Sequence, residues 1–92
     1  MNEPQFDWDD ANERHIDEHR VTVEEVEEAL LDPRRLPAAA HSTSTERRYA
    51  AIGTTSGGRI LFVAFTTRRG RIRVITAYTA PEWMRRQYRR RR

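Results

Sequence analysis

Residues 59–78 read RILFVAFTTRRGRIRVITAY, and this stretch decides the fold. Ile60 to Phe65 is an unbroken apolar run rich in branched and aromatic side chains, which predicts a strand in mid-sheet. Arg68-Arg69-Gly70 follows as a hairpin loop, and Arg71 to Tyr78 is the returning strand. With Arg69-Gly70 as a two-residue turn, Arg68 faces Arg71 and Thr66 faces Arg73, so these four side chains share one face. The opposite face then collects Leu61, Val63, Phe65, Ile72 and Val74 as core.

Upstream, Arg48 to Thr54 reads as another strand, joined to the first by the turn Thr55-Ser56-Gly57-Gly58. Residues 33–45 hold two prolines and many small residues, a loop with a short edge strand. Nearer the N-terminus, Phe6-Asp7-Trp8-Asp9 suits an extended entry. Asp9 or Asp10 caps a first helix, with Glu13 completing a capping box if Asp10 is the cap. Ala11, His15, Ile16 and His19 lie on one side of it. Thr22 caps a second helix, Glu25 closes its box, and Val21 staples onto Val26. Val23, Val26 and Leu30 line its inner face, Glu24, Glu27 and Glu28 face water, and Asp32-Pro33 stops it. Downstream, Pro81 opens a third helix with Trp83, Met84 and Tyr88 as apolar contacts, and Arg89 to Arg92 form a frayed, solvated tail. The reading is one α+β domain over residues 1–92: two N-terminal helices, a three- to four-stranded antiparallel sheet and a C-terminal helix. One sheet face packs on helices; the other is functional, partner-bound or solvated.

The 92 residues contain no cysteine, which excludes disulfides and thiolate metal sites. No apolar run is long enough to span a membrane and the N-terminus lacks a signal-peptide pattern, so a soluble cytoplasmic protein is expected. All basic residues other than histidine are arginine, whose planar fork suits phosphate and carboxylate. Residues 1–32 carry twelve acids and two arginines, net −10, and residues 33–92 carry fifteen arginines and two acids, net +13. Such halves are either the footprint of a polyanion binder or charges that neutralise each other across the fold.

His15-Ile16-Asp17-Glu18-His19 fits the spacing H-x-x-E-H of a zinc-hydrolase helix. Two histidines one turn apart share a helix face, but a site needs a third ligand, and the remaining histidine, His41, lies in a loop. No metal and no cofactor are expected; His19 is a candidate for proton transfer or RNA contact instead. The arginines say more. Arg68, Arg69, Arg71 and Arg73 gather at one end of the hairpin, where they either meet a polyanion or solvate a sheet edge. Arg59, Arg85 and Arg86 are further candidates for RNA. Glu46 is one of two acids after residue 32 and sits beside Arg47 and Arg48. It is a candidate base, or it orients an arginine, with the second reading favoured. Tyr78 and Tyr49 can stack on a base or transfer a proton.

The ordered set of motifs resembles the BrnT-type toxins. FDWDDANERHIDEHRVTVEEVEEALLDP (residues 6–33) is similar to that family's opening, and ERRYAAIGTTSGGRILFVAFTTRRGRIRVITA (residues 46–77) to its strand block. RRQY (residues 85–88) is similar to its closing arginine-rich helix. Three positions depart from the pattern: Arg20 stands where the family usually has Gly, Tyr78 where it has Arg, and Met84 where it has Glu. The resemblance implies a RelE-like fold and a metal-independent endoribonuclease cleaving mRNA. It implies a cognate antitoxin as partner, a complex that binds operator DNA, and a dimer formed through the antitoxin. Glu46, Arg73, His19 and Tyr78 are the catalytic candidates. A non-catalytic relative that binds antitoxin and nucleic acid is the alternative, and a general basic RNA- or ribosome-binding domain a third reading.

Overall fold

A computed structural model describes residues 4–91. In chain order it contains α1 (Asp10–Glu18), α2 (Val23–Leu31), β1 (Leu36–Ala38), β2 (Tyr49–Thr54), β3 (Ile60–Arg68), β4 (Arg71–Thr79) and α3 (Glu82–Arg90). The four strands form one antiparallel sheet in the order β1-β2-β3-β4. This is the α+β arrangement expected from the sequence.

The cap of α1 is Asp9, not Asp10. Its carboxylate accepts from the N–H groups of Ala11 and Asn12, and the Asn12 side chain returns to the Asp9 N–H at 2.8 Å. The box is therefore Asp9–Asn12, and Glu13 has no part in it. The side of α1 that packs inward is Asn12 and Ile16, while Ala11, His15 and His19 stay exposed, a correction to the expected apolar side. The helix ends with Arg20 at φ +60°, and the N–H groups of Arg20 and Val21 bond back to Asp17 and Ile16. That is a Schellman closure, with Val21 and Ile16 buried together. Thr22 and Glu25 form the expected box on α2, and Val21 and Val26 are both buried.

α2 rests on the sheet at Gly53. A Cβ there would lie 2.1 Å from the Ala29 carbonyl oxygen, so only glycine permits this approach. The resulting core joins Ile16, Val21, Val26, Ala29 and Leu30 to Leu61, Val63 and Val74, with Phe65 and Ile72 at its margin. Glu24 and Glu28 are exposed as expected, whereas Glu27 is half-buried. Glu27 accepts from the Trp8 indole at 2.8 Å, and Glu28 holds the Ser56 N–H and hydroxyl, each at 3.0 Å.

The other sheet face is half covered. Met84 and Tyr88 of α3 pack against a second apolar group that includes Ala50, Ile52, Ile60 and Phe62. Asp32 ties α3 down: its carboxylate accepts from the Tyr88 hydroxyl, from the Thr54 N–H at 3.0 Å and from the Arg34 N–H at 2.9 Å. Burial pushes the Asp32 carboxyl up, but the Tyr88 hydroxyl and the two N–H groups outweigh it and hold the group below its usual range. Burial, then the Asp32 hydrogen bond, pushes the Tyr88 hydroxyl up to about 12. Trp83, expected in the core, is 58% exposed because it lies on the outer side of α3. The helix runs on through Arg89 and Arg90, so these two do not belong to a frayed tail; Arg92 lies outside the described residues.

Two details of β4 position the site. The Arg69-Gly70 turn has positive φ at both residues, +54° and +77°, and pairs Arg68 with Arg71 and Thr66 with Arg73, as the spacing predicts. The register then slips: Phe65 faces Val74, but Ala64 faces Thr76, leaving Ile75 as a bulge. The outer edge of β4 is closed by the N-terminal segment. Asp7 N–H donates to the Ile72 carbonyl and Ile72 N–H to that of Gln5, both at 2.8 Å, and the Asn12 amide donates to Val74 at 3.1 Å. These bonds occupy the β4 edge at Ile72 and Val74 and blunt it there.

Candidate functional site

The bulge has a direct chemical consequence. Arg73 and Tyr78 are an odd number of residues apart, so an unbroken strand would send them to opposite faces. The extra residue at Ile75 restores Tyr78, which pairs with Phe62, to the face that carries Arg73, which pairs with Thr66. A groove of about 320 Å³ opens above Val74 and Ile75, and its polar lining is Asn12, His15, Glu46, Arg48 and Arg73. Arg48 and Ile75 also line an adjoining cavity of about 280 Å³ that contains His41, Thr76 and Tyr78.

Each polar group of the groove is held from below. Arg48 donates from Nε to Glu46 Oε1 at 2.7 Å, so the acid fixes the arginine's plane. Arg73 is only 16% exposed; its Nη2 lies 3.0 Å from Asp9 and its Nη1 3.7 Å from Asp7. That Nη1 is buried and has no hydrogen-bond partner among the described residues. Asp9 thus caps α1 and steadies Arg73 together. Its carboxyl is held below the usual range first by the Asn12 N–H and, against partial burial, by Arg73. His15 Nε2 lies 3.1 Å from the Thr76 hydroxyl. The Tyr78 ring stacks on Phe62 at 5.0 Å, and the His19 ring leans on its outer side at 5.8 Å.

Of the expected catalytic residues, Glu46 and Arg73 are brought to one groove, Tyr78 to the adjoining cavity, and His19 to the rim behind Tyr78. Three groups escaped the sequence reading as site residues. Arg48 was legible as the same-side neighbour two residues from Glu46 on an extended chain. In the sequence His15 and His41 suggest only metal ligands, and no local signal ties a loop histidine to this cavity. The His15 and His19 rings meet edge to face at 5.4 Å, and among the described residues no three His, Asp or Glu side chains are grouped as metal ligands.

The remaining arginines divide. Arg68, Arg69 and Arg71 line a cavity of about 470 Å³ at the hairpin tip together with Asp7, and Arg68 lies 3.7 Å from that carboxylate. Arg59 is a structural clamp: it donates to the Arg20 carbonyl at 2.7 Å, to Glu25 at 3.0 Å and to the Thr79 hydroxyl. Arg85 is spent on the Ala80 carbonyl and Glu82, and Arg86 lies 3.7 Å from Glu82. Arg59, Arg85 and Arg86 are therefore not part of the groove. Part of the charge asymmetry is neutralised inside the fold, through Asp7, Asp9 and Glu25.

Fold and groove together define a class: a small three-helix, four-stranded antiparallel domain whose half-open sheet face presents arginines beside an acid and a histidine. A family model described as "Ribonuclease toxin, BrnT, of type II toxin-antitoxin system" matches residues 8–82. The chain belongs to this family, and the type II toxin–antitoxin context implies an antitoxin partner and an RNA substrate. No curated protein matches the chain. The matched range contains every groove residue and stops at the first residue of α3. Among the described residues no helix is long and apolar enough to cross a membrane.

Proposed function

We propose that this protein is a metal-independent endoribonuclease that cleaves mRNA in the cytoplasm and is neutralised by a cognate antitoxin. The observation that carries the reading is the convergence of Arg48, Arg73, Glu46 and His15 on one groove over the Ile75 bulge. Cleavage of this kind needs a base for the 2′-hydroxyl, cations for the phosphorane and an acid for the departing 5′-oxygen. Arg48, through donors other than the Nε given to Glu46, and the positive charge of Arg73 stabilise the phosphorane. Glu46 is tied to Arg48, so it acts as a positioning residue rather than the base. His15 takes the 2′-hydroxyl proton, the 2′-oxygen bonds to phosphorus, and the 5′-oxygen leaves with the Tyr78 proton. The products are a 2′,3′-cyclic phosphate and a 5′-hydroxyl. His19 keeps the Tyr78 ring in place.

Labelled RNA with the antitoxin absent provides the test. His15→Gln and Tyr78→Phe should lower the rate at saturating RNA by about 10²-fold or more while leaving affinity intact. Glu46→Gln should lower the rate by loosening Arg48. Arg73→Ala should lower rate, affinity and melting temperature together, because it also strips Asp9 of its partner. If the wild-type protein binds RNA but yields no cyclic phosphate, with or without ribosomes, the enzyme reading fails. A non-catalytic module binding antitoxin and nucleic acid then takes its place.

Neutralisation rests on the hairpin tip. An acidic antitoxin segment covering Arg69 and Arg71 would compete with RNA there, and operator binding or dimerisation would come through the antitoxin. Reversing both arginines to Glu should weaken RNA and antitoxin together; loss of one alone refutes a shared surface.

A further inference from the structure

We infer that the cavity beside the catalytic groove is a subsite for one unpaired purine base adjacent to the scissile phosphate; this rests on the ribonuclease reading. Its lining is mainly apolar, from Ala40, Ala64, Ile75 and the stacked rings of Phe62 and Tyr78, and it also carries His41, Arg48 and Thr76. An apolar, aromatic-lined cavity with side-chain donors beside it matches a nucleobase, whose faces are apolar and whose edge carries acceptors. The volume of about 280 Å³ holds a purine with its sugar entering from the side. Phosphates alone would need neither the apolar lining nor the depth.

The position fixes the role. Arg48 and Ile75 line both this cavity and the arginine groove, so a phosphate held at Arg48 and Arg73 leaves its neighbouring base at the cavity mouth. Two small residues make the space: Ala64 sits on β3 opposite Thr76, and Ala40 lies in the loop after β1. Larger side chains at either place would fill it. Arg48 retains donors beyond the Nε given to Glu46, and His41 is exposed on its loop. Both favour a base edge rich in acceptors, which for purines means the O6 and N7 of guanine.

The test uses binding, so that catalysis and base recognition are read separately. The probes are short single-stranded RNAs with a 2′-deoxy residue that blocks cleavage. They carry guanine, adenine, uracil or no base at one position, and a parallel probe carries 2-aminopurine there. Wild-type protein is expected to bind the guanine probe at least tenfold more tightly than the abasic one, and to quench 2-aminopurine. Ala40→Leu and Ala64→Leu should each abolish that preference and the quenching while keeping the salt-dependent affinity for the abasic probe. His41→Ala should narrow the guanine-over-adenine margin. Ala40 lies in a loop at the margin of the second apolar group, whereas Ala64 is in mid-strand, so Ala40→Leu remains informative if Ala64→Leu fails to fold. Equal affinity of the wild type for all four probes, or an unchanged preference in Ala40→Leu, overturns the subsite and leaves the ribonuclease reading standing. Failure to bind any probe overturns both.

Discussion

Replacing Gly53 by alanine tests how α2 is seated on the sheet. The added methyl would stand 2.1 Å from the Ala29 carbonyl oxygen and 2.8 Å from its carbon, both backbone atoms that cannot rotate away. Ordinary contact requires α2 to rise by about 1 Å, and a gap of that size forfeits a quarter to a half of each van der Waals well beneath it. Val26, Ala29 and Leu30 make those contacts and are all buried. Overpacking against side chains costs about 1–3 kcal/mol, and with backbone as the obstacle we expect the upper end, about 3 kcal/mol. For a domain of this size each kcal/mol moves the melting temperature by roughly 4–8 °C, so a fall of about 12 °C or more is expected. Gly57→Ala is the control, since its methyl would meet only the Thr55 hydroxyl at 3.8 Å. Thermal unfolding followed by circular dichroism reads both. A Gly53 variant within about 0.5 kcal/mol of wild type would mean that α2 does not sit where its contacts place it.

Arg20→Gly should stabilise the protein by about 1 kcal/mol, because Arg20 holds φ +60° with an exposed side chain and glycine adopts that conformation without penalty; a lowered midpoint in denaturant would contradict this. Thr22→Ala should cost about 1 kcal/mol in the same assay by opening the α2 capping box. The Asp32–Tyr88 pair predicts two pH limits. The lowered Asp32 carboxyl stabilises the fold above the ordinary aspartate range, and this is lost as pH falls through the folded value. The raised Tyr88 hydroxyl favours the fold below pH 10, and this is lost as pH climbs from 10.0 towards about 12. Asp32→Asn should flatten the acid limb and lower the Tyr88 titration; unchanged limbs would show that the pair does not anchor α3.

Much of the fold was legible because its signals are local. Thr22 and Glu25 form a box at fixed spacing, Asp32-Pro33 cannot continue a helix, and Arg69-Gly70 satisfies the two positive φ angles of a tight turn. Trp83 was misread because helical spacing does not say which side of α3 meets the sheet; Met84 and Tyr88 took that side, and Tyr88 is pinned by Asp32. Of the two cap candidates, Asp9 and Asp10, the structure uses Asp9, which Asn12 answers and Arg73 pairs with.

The sequence by itself determined the four-residue face of Arg68, Arg71, Thr66 and Arg73, since a two-residue turn and a period of two leave no freedom in the register. Only the tertiary structure decided which groups join Arg73 on that face. The bulge at Ile75 breaks the period and brings Tyr78 to it, and the packing of α1 along the β4 edge brings His15 to Thr76 and Asp9 to Arg73. The loop before β2 brings Glu46 and Arg48 to the same groove. These contacts join residues far apart in the chain, and the energy that fixes them comes from burying Ile16, Val63 and Val74 together, which no local pattern encodes.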